Sequence, residues 1–313
     1  YALNLAILGQ NWQAGDVILL SGLEHHAVSR PIRKLAREHG VHFKTIQYQK
    51  NRPVDLDWVE SELKTGKVKM LASTMAANVT GDILPSVDLG RLCQQYDVRY
   101  LVDAAQSAGV LPVDVEELNA DFLTFAGHKG LFGPPGIGGL FVREGIQLET
   151  LAEGGTGKDS GRHDMSGSFP SNFEVGTHNL LAITGLCAGV RWVKQAGLDE
   201  IREHENRLLT AFCEKMSDLP GINLFGSEDL TLRTSVCSFT IDGTSPQKIA
   251  KWLSEEHGIS TRAGYHCAPL AHETIGTLPG EGTIRFSFGF SNTMDEVVKV
   301  TDMLHEFAQL PTA

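Results

Sequence analysis

Short apolar runs alternate with helical patterns through the first 145 residues, and that alternation confines the chain to βαβ units built on a parallel sheet. The predicted strands are residues 17–21, 41–46, 68–73, 100–103, 122–125 and 139–142, with helices between them at 29–39, 56–64 and 87–96. Ligands of such sheets bind beyond the carboxyl ends of the strands. Glu24, Asn78, Asp103 and Lys129 all fall there. Residues 143–178 interrupt the alternation with Gly154-Gly-Thr-Gly-Lys-Asp-Ser-Gly, a loop too long for a simple connector. Its glycines and polar residues suit gating of the site, completion of a partner's pocket, or both. Helices at 180–195, 199–216, 246–257 and 294–308 and strands at 234–241 and 283–288 then describe a smaller α+β region. The expected organisation is a large domain over 1–195 and a small C-terminal domain over 196–313.

With 42% apolar and 21% charged residues, the 313-residue chain has the makeup of a globular protein large enough for two cores. A net charge of −11 argues against a nucleic-acid partner, which needs Lys and Arg gathered on one face. No apolar run reaches the ~20 residues that span a bilayer, and a cytoplasmic location is the expectation. Five cysteines without a C-x-x-C indicate neither a disulfide framework nor a zinc site, and no metal is expected. The chain opens at Tyr1 on a helical pattern with no N-cap residue ahead of it, so residues are expected upstream.

Two segments carry the chemistry. Asp103 ends the apolar run Tyr100-Leu-Val-Asp-Ala-Ala-Gln, and Lys129 stands in the glycine-rich turn Ala126-Gly-His-Lys-Gly-Leu-Phe-Gly-Pro-Pro-Gly. An acid and a lysine so placed suit pyridoxal phosphate (PLP): the lysine holds the aldehyde as a Schiff base, and the aspartate keeps the pyridine nitrogen protonated. The competing readings are a surface lysine and an Asp that caps the next helix. Gln106 and Asn78 can each reach the cofactor's phenolic oxygen, although Asn78 before Gly81 also suits a turn. In Glu24-His25-His26 one imidazole can lie on the cofactor ring and move protons near neutral pH, or the two can be a surface pair.

Cys267 sits in the predicted loop Arg262-Ala-Gly-Tyr-His-Cys-Ala-Pro, where neighbouring His266 and Arg262 suit a thiolate nucleophile. Cys187 in a helix and Cys237 in a strand read as buried packing residues. An inert loop thiol is the alternative for Cys267.

Glu24-His25-His26-Ala27, Asn78-Val-Thr-Gly81, Val102-Asp-Ala-Ala-Gln106, Gly127-His-Lys129, Phe173-Glu-Val-Gly-Thr177 and Arg262-Ala-Gly-Tyr-His-Cys-Ala268 stand in the order and rough spacing of class V aminotransferase-like PLP enzymes. They most resemble the cysteine desulfurase and selenocysteine lyase branch. The resemblance implies fold type I of the PLP-dependent transferases: an α/β fold with a mostly parallel central sheet and a smaller C-terminal α+β domain. It implies Lys129 as the Schiff-base lysine, Asp103 at the pyridine nitrogen, His25 stacked on the ring, and Gln106 and Asn78 at the phenolic oxygen. His128 would bind the phosphate, and Thr177 the phosphate of a neighbouring subunit, hence a homodimer with shared active sites. Arg285, in Thr283-Ile-Arg-Phe, would grip the substrate carboxylate with Arg262 nearby, where a surface arginine at a strand edge is the alternative.

The implied reaction is desulfuration of L-cysteine to L-alanine. Lys129 removes the α-proton, and Cys267 takes the sulfur as a persulfide for a possible acceptor protein. A cysteine or cystine lyase working by β-elimination, another class V enzyme, or a non-enzymatic scaffold or sulfur acceptor are the other readings. Two departures stand out: Ala126 replaces a phosphate-binding hydroxyl, and the family's Gly-Thr phosphate turn would lie upstream of Tyr1.

Overall fold

A computed structural model describes residues 1–157, 161–165 and 169–309. The helices are α1 (Ala2–Leu8), α2 (His26–His39), α3 (Leu56–Leu63), α4 (Ser86–Gln95), α5 (Leu180–Ala196), α6 (Leu198–Ser217), α7 (Pro246–His257), α8 (Pro269–Thr274) and α9 (Met294–Gln309). The strands are β1 (Val17–Ser21), β2 (His42–Ile46), β3 (Val68–Thr74), β4 (Arg99–Asp103), β5 (Phe122–Ala126), β6 (Gly138–Val142), β7 (Ile222–Phe225), β8 (Val236–Ile241), β9 (Arg262–Gly264) and β10 (Thr283–Ser287).

The first sheet runs β2-β1-β3-β4-β5-β6. Strands β1 to β5 are parallel, as the alternation predicts, whereas β6 returns antiparallel on β5. A parallel return needs a crossover helix, and the 126–138 turn is too short and glycine-rich to form one. Central strands covered on both faces read as unbroken apolar runs. Ile18, Leu20, Met70, Leu101 and Phe122 fill one face, and Leu19, Leu71, Val102 and Leu123 the other. Each such side chain, fully buried, contributes about 1.5–3 kcal/mol.

The second sheet, β7-β8-β10-β9, is antiparallel throughout. It packs on α6, α7 and α9 around Phe212, Phe239, Phe286 and Phe288, with the Phe212 and Phe286 rings 5.1 Å apart. Strand β10 lies inside this sheet, so Arg285 is not at a strand edge. The stretch predicted as a loop around Cys267 begins as β9, a strand of three residues and too short to show a period. Cys187, expected as a packing residue, is exposed on α5.

Part of the long loop, residues 158–160 and 166–168, lies outside the described residues, so the gating expectation falls partly there. Among the described residues no helix is long and apolar enough to cross a membrane.

Candidate active site

The order of the first sheet reverses at β1, since β2 lies on one side of it and β3 to β5 on the other. A crevice opens where chain directions diverge in this way. It becomes a cavity of about 1080 Å³. His25, Asn78, Asp103, Gln106, His128 and Lys129 line it from the first sheet, and Arg262, His266 and Arg285 from the second. Of the residues singled out in the sequence, Thr177 is exposed and does not line this cavity, and neither does Cys267, which is half-buried next to the lining residue His266.

Asp103 ends β4 and is buried, with Oδ1 accepting from Ala105 N at 2.9 Å. Burial pushes its carboxyl above the usual range, opposed by that hydrogen bond and by the charge of Lys129. Thr124, its register partner on β5, lines the same cavity with a buried hydroxyl that also acts to lower the Asp103 pKa. Sequence reading passed over Thr124, whose only mark is a hydroxyl inside the apolar run Phe122-Leu-Thr-Phe.

Lys129 opens to the cavity in the turn after β5. Desolvation by the walls lowers its pKa, and Arg285 adds to that, while Asp103 works the other way. The turn sits where it does because glycines let two backbones touch. A Cβ on Gly109 would lie 2.1 Å from Gly130 O, and Gly109 has φ +89°.

His25 caps α2, its Nδ1 accepting from Ala27 N at 3.0 Å, so the ring proton sits on Nε2. Burial first, then the charge of Lys129, pushes it down to about 4. The imidazole is therefore neutral at pH 7. Glu24 before it is fully buried; its Oε1 accepts from Ser21 Oγ and, at 2.7 Å, from Thr74 N.

The register of the second sheet sets Arg285 directly opposite Arg262. Like charges facing each other are unfavourable alone, and together they form a seat for an anion. Burial and the neighbouring Arg262 both lower the pKa of Arg285. Arg285 Nη1 donates to Asn78 O at 2.8 Å, and its Nε is buried without a partner. Arg262 Nη2 donates to Cys267 Sγ at 3.1 Å. The facing of the two arginines was beyond sequence reading, because it depends on the pairing of residues 23 positions apart. Among the described residues no group of His, Cys, Asp and Glu could hold a metal ion.

The aminotransferase class-V family model matches residues 1–300. The chain belongs to the class V aminotransferase family. A "Probable cysteine desulfurase" of Mycolicibacterium paratuberculosis is 35% identical over 289 residues, covering 91% of this chain and 41% of that protein. A "Probable cysteine desulfurase" of Methanothermobacter thermautotrophicus is 31% identical, covering 98% of this chain and 77% of its own length. The apo structure of a cysteine desulfurase from Thermococcus onnurineus superposes with a TM-score of 0.89 at 32% identity, covering 98% of this chain and 77% of that one. The chain thus spans from under half to about three quarters of the relatives it matches. Its fold is the α/β fold type I of PLP-dependent transferases, with the mostly parallel sheet predicted. As a class V aminotransferase it comes from a family that depends on PLP.

Proposed function

We propose that the chain is a PLP-dependent cysteine desulfurase that converts L-cysteine to L-alanine and keeps the sulfur on Cys267 as a persulfide. The observation that carries this reading is that Arg262, which lines the same cavity as Lys129 and Asp103, donates to the thiol of Cys267. The relatives bearing the name cysteine desulfurase support it.

The ring half of the site fits the cofactor. A buried carboxylate, the Thr124 hydroxyl and a lysine amine of lowered pKa face one space beside the neutral His25. His128 is the phosphate ligand this chain supplies, and Ala126 adds no hydroxyl. Thr177, exposed and outside the cavity, would serve the phosphate of a second copy. Leu180 and Leu181, 67% and 88% exposed at the start of α5, supply apolar surface for a homodimer there.

When bound, PLP supplies an electron sink for negative charge on the substrate α-carbon. Asp103 would hold the ring nitrogen protonated, and that proton would in turn favour the ionised carboxylate. Gln106 would support the phenolic oxygen. Arg285, with Arg262, takes the substrate carboxylate. Lys129, its pKa lowered chiefly by desolvation, removes the α-proton. Cys267 Sγ attacks the substrate sulfur: the Sγ–S bond forms, the carbon–sulfur bond breaks, and its electron pair stays with the three-carbon fragment. Protonation of that fragment gives alanine, so cysteine and the thiol become alanine and the persulfide. A sulfur-acceptor protein then takes the sulfur.

The test is Cys267→Ala. Alanine formation from cysteine should fall by about 10²-fold or more, a range typical of losing one reacting group, while the visible absorbance of bound cofactor persists and Lys129→Ala abolishes it. Undiminished alanine formation would sink the persulfide step. Pyruvate and sulfide in place of alanine would assign a β-elimination lyase.

A further inference from the structure

The turn that carries Cys267 is held in an unfavourable backbone shape. His266 and Cys267 both have positive φ, 49° and 58°, a conformation costly for residues with a Cβ and kept only where surrounding contacts impose it. Two of those contacts come from the first sheet. His26 N donates to Cys267 O at 2.8 Å, and Asn78 Nδ2 donates to His266 O at 2.8 Å. On the other side His266 Nε2 meets Thr283 Oγ1 at 2.9 Å.

Asn78 is buried, and the acceptor it faces fixes its amide orientation, since only the nitrogen can donate to a carbonyl. Its Oδ1 is buried without a partner. Its own carbonyl accepts from Arg285 Nη1. One side chain and one carbonyl therefore join the Cys267 turn to the arginine assigned to the substrate carboxylate.

We propose that Asn78 is a positioning residue for Cys267: its amide clasps the turn and holds the sulfur in register with Arg285. The role goes beyond contact with the cofactor's phenolic oxygen. It rests on Cys267 being the sulfur-accepting thiol, although the clasp itself can be read without any turnover.

The experiment uses the full chain as purified, in wild-type, Asn78→Ala and Asn78→Asp forms. Iodoacetamide labelling of Cys267 is followed by peptide mass and normalised to exposed Cys187. Loss of the clasp should speed Cys267 relative to Cys187 by about tenfold, the scale of one lost buried hydrogen bond. Asn78→Asp, which turns an acceptor toward His266 O, should be at least as fast. In both variants kcat for cysteine should fall more than KM rises.

An unchanged labelling ratio overturns the proposal. So does a shifted absorbance band with the ratio unchanged, since the amide would then serve the cofactor alone. If neither variant folds, amide hydrogen exchange in the wild type decides: the His26 amide should exchange slowly, and exchange as fast as an exposed amide overturns the clasp. Faster labelling in a protein that makes no alanine would keep the clasp and remove the desulfurase reading.

Discussion

Glu24 is fully buried behind the site, and the charge of Asp103 works in the same direction as its desolvation. Desolvation is the larger cause, and the carboxyl is pushed up to about 8. Its folded pKa lies above the ordinary 4.5, so the stability it contributes is whole below pH 4.5 and is lost as the pH rises to about 8. A glutamine keeps the Oε1 acceptor for Ser21 and Thr74 without the titration. Glu24→Gln should therefore flatten the decline in stability between those pH values, and urea unfolding at pH 5 and pH 8 measures it. Glu24→Ala should cost about 2–3 kcal/mol at pH 5, because Thr74 N loses its acceptor and a cavity opens, and less at pH 8, where the carboxyl's own contribution is lost. At this scale Asp103 and Lys129 were legible in the sequence from residue type and the glycines around them. Thr124 and the clasp of Asn78 were not, since each is defined by a neighbour distant in the chain.

Among the elements, the long periodic ones matched expectation. Strand β1 and helix α7 fall where the pattern places them, the first as an unbroken apolar run and the second because its apolar period runs over three turns. Strand β9 and helix α8 were missed, having three and six residues in which to show a period. The direction of β6 was missed because alternation reports that a strand exists and not which way it runs. Where two turns meet, backbone space governs. Gly109→Ala would drive a methyl into Gly130 O while holding φ positive, a loss of about 2 kcal/mol or more. The Lys129 turn would shift with it, and the affinity for added PLP, read by absorbance titration, should fall with stability.

Across the whole molecule the two sheets are tied by buried polar groups. Asp82 Oδ1 accepts from Ser227 N at 2.6 Å and Oδ2 from Tyr48 Oη at 3.0 Å. Arg233 donates to Thr80 O at 3.1 Å and Val236 O at 2.9 Å. Burial pushes His266 down to about 3 and His272 to about 4. Their folded pKa values lie below the ordinary 6.5, so their contribution is whole above pH 6.5 and is lost as the pH falls toward 4. The melting temperature should drop over that interval, and His272→Gln should reduce the drop by on the order of a kcal/mol in unfolding free energy. For the proposed homodimer, Leu181→Glu should leave the melting temperature of the fold nearly unchanged, since an exposed site costs within about 0.5 kcal/mol. Sedimentation should shift from dimer to monomer, and an unaltered sedimentation coefficient would remove α5 from the interface.

The sequence by itself determined the α/β class, the placing of Glu24, Asn78, Asp103 and Lys129 at strand ends, and the resemblance to class V aminotransferases. Those depend on local period, residue type and short motifs, which survive in one dimension. Tertiary structure alone decided that Arg262 faces Arg285, that β6 runs antiparallel, that Cys187 is exposed, and that the Cys267 turn hangs from Asn78 and His26. The exposure of Cys187 depends on which face of α5 is covered, and the others depend on strand pairing or on carbonyls brought together from up to 241 positions apart. No local pattern encodes such a pairing, because it is chosen by which surfaces bury one another best.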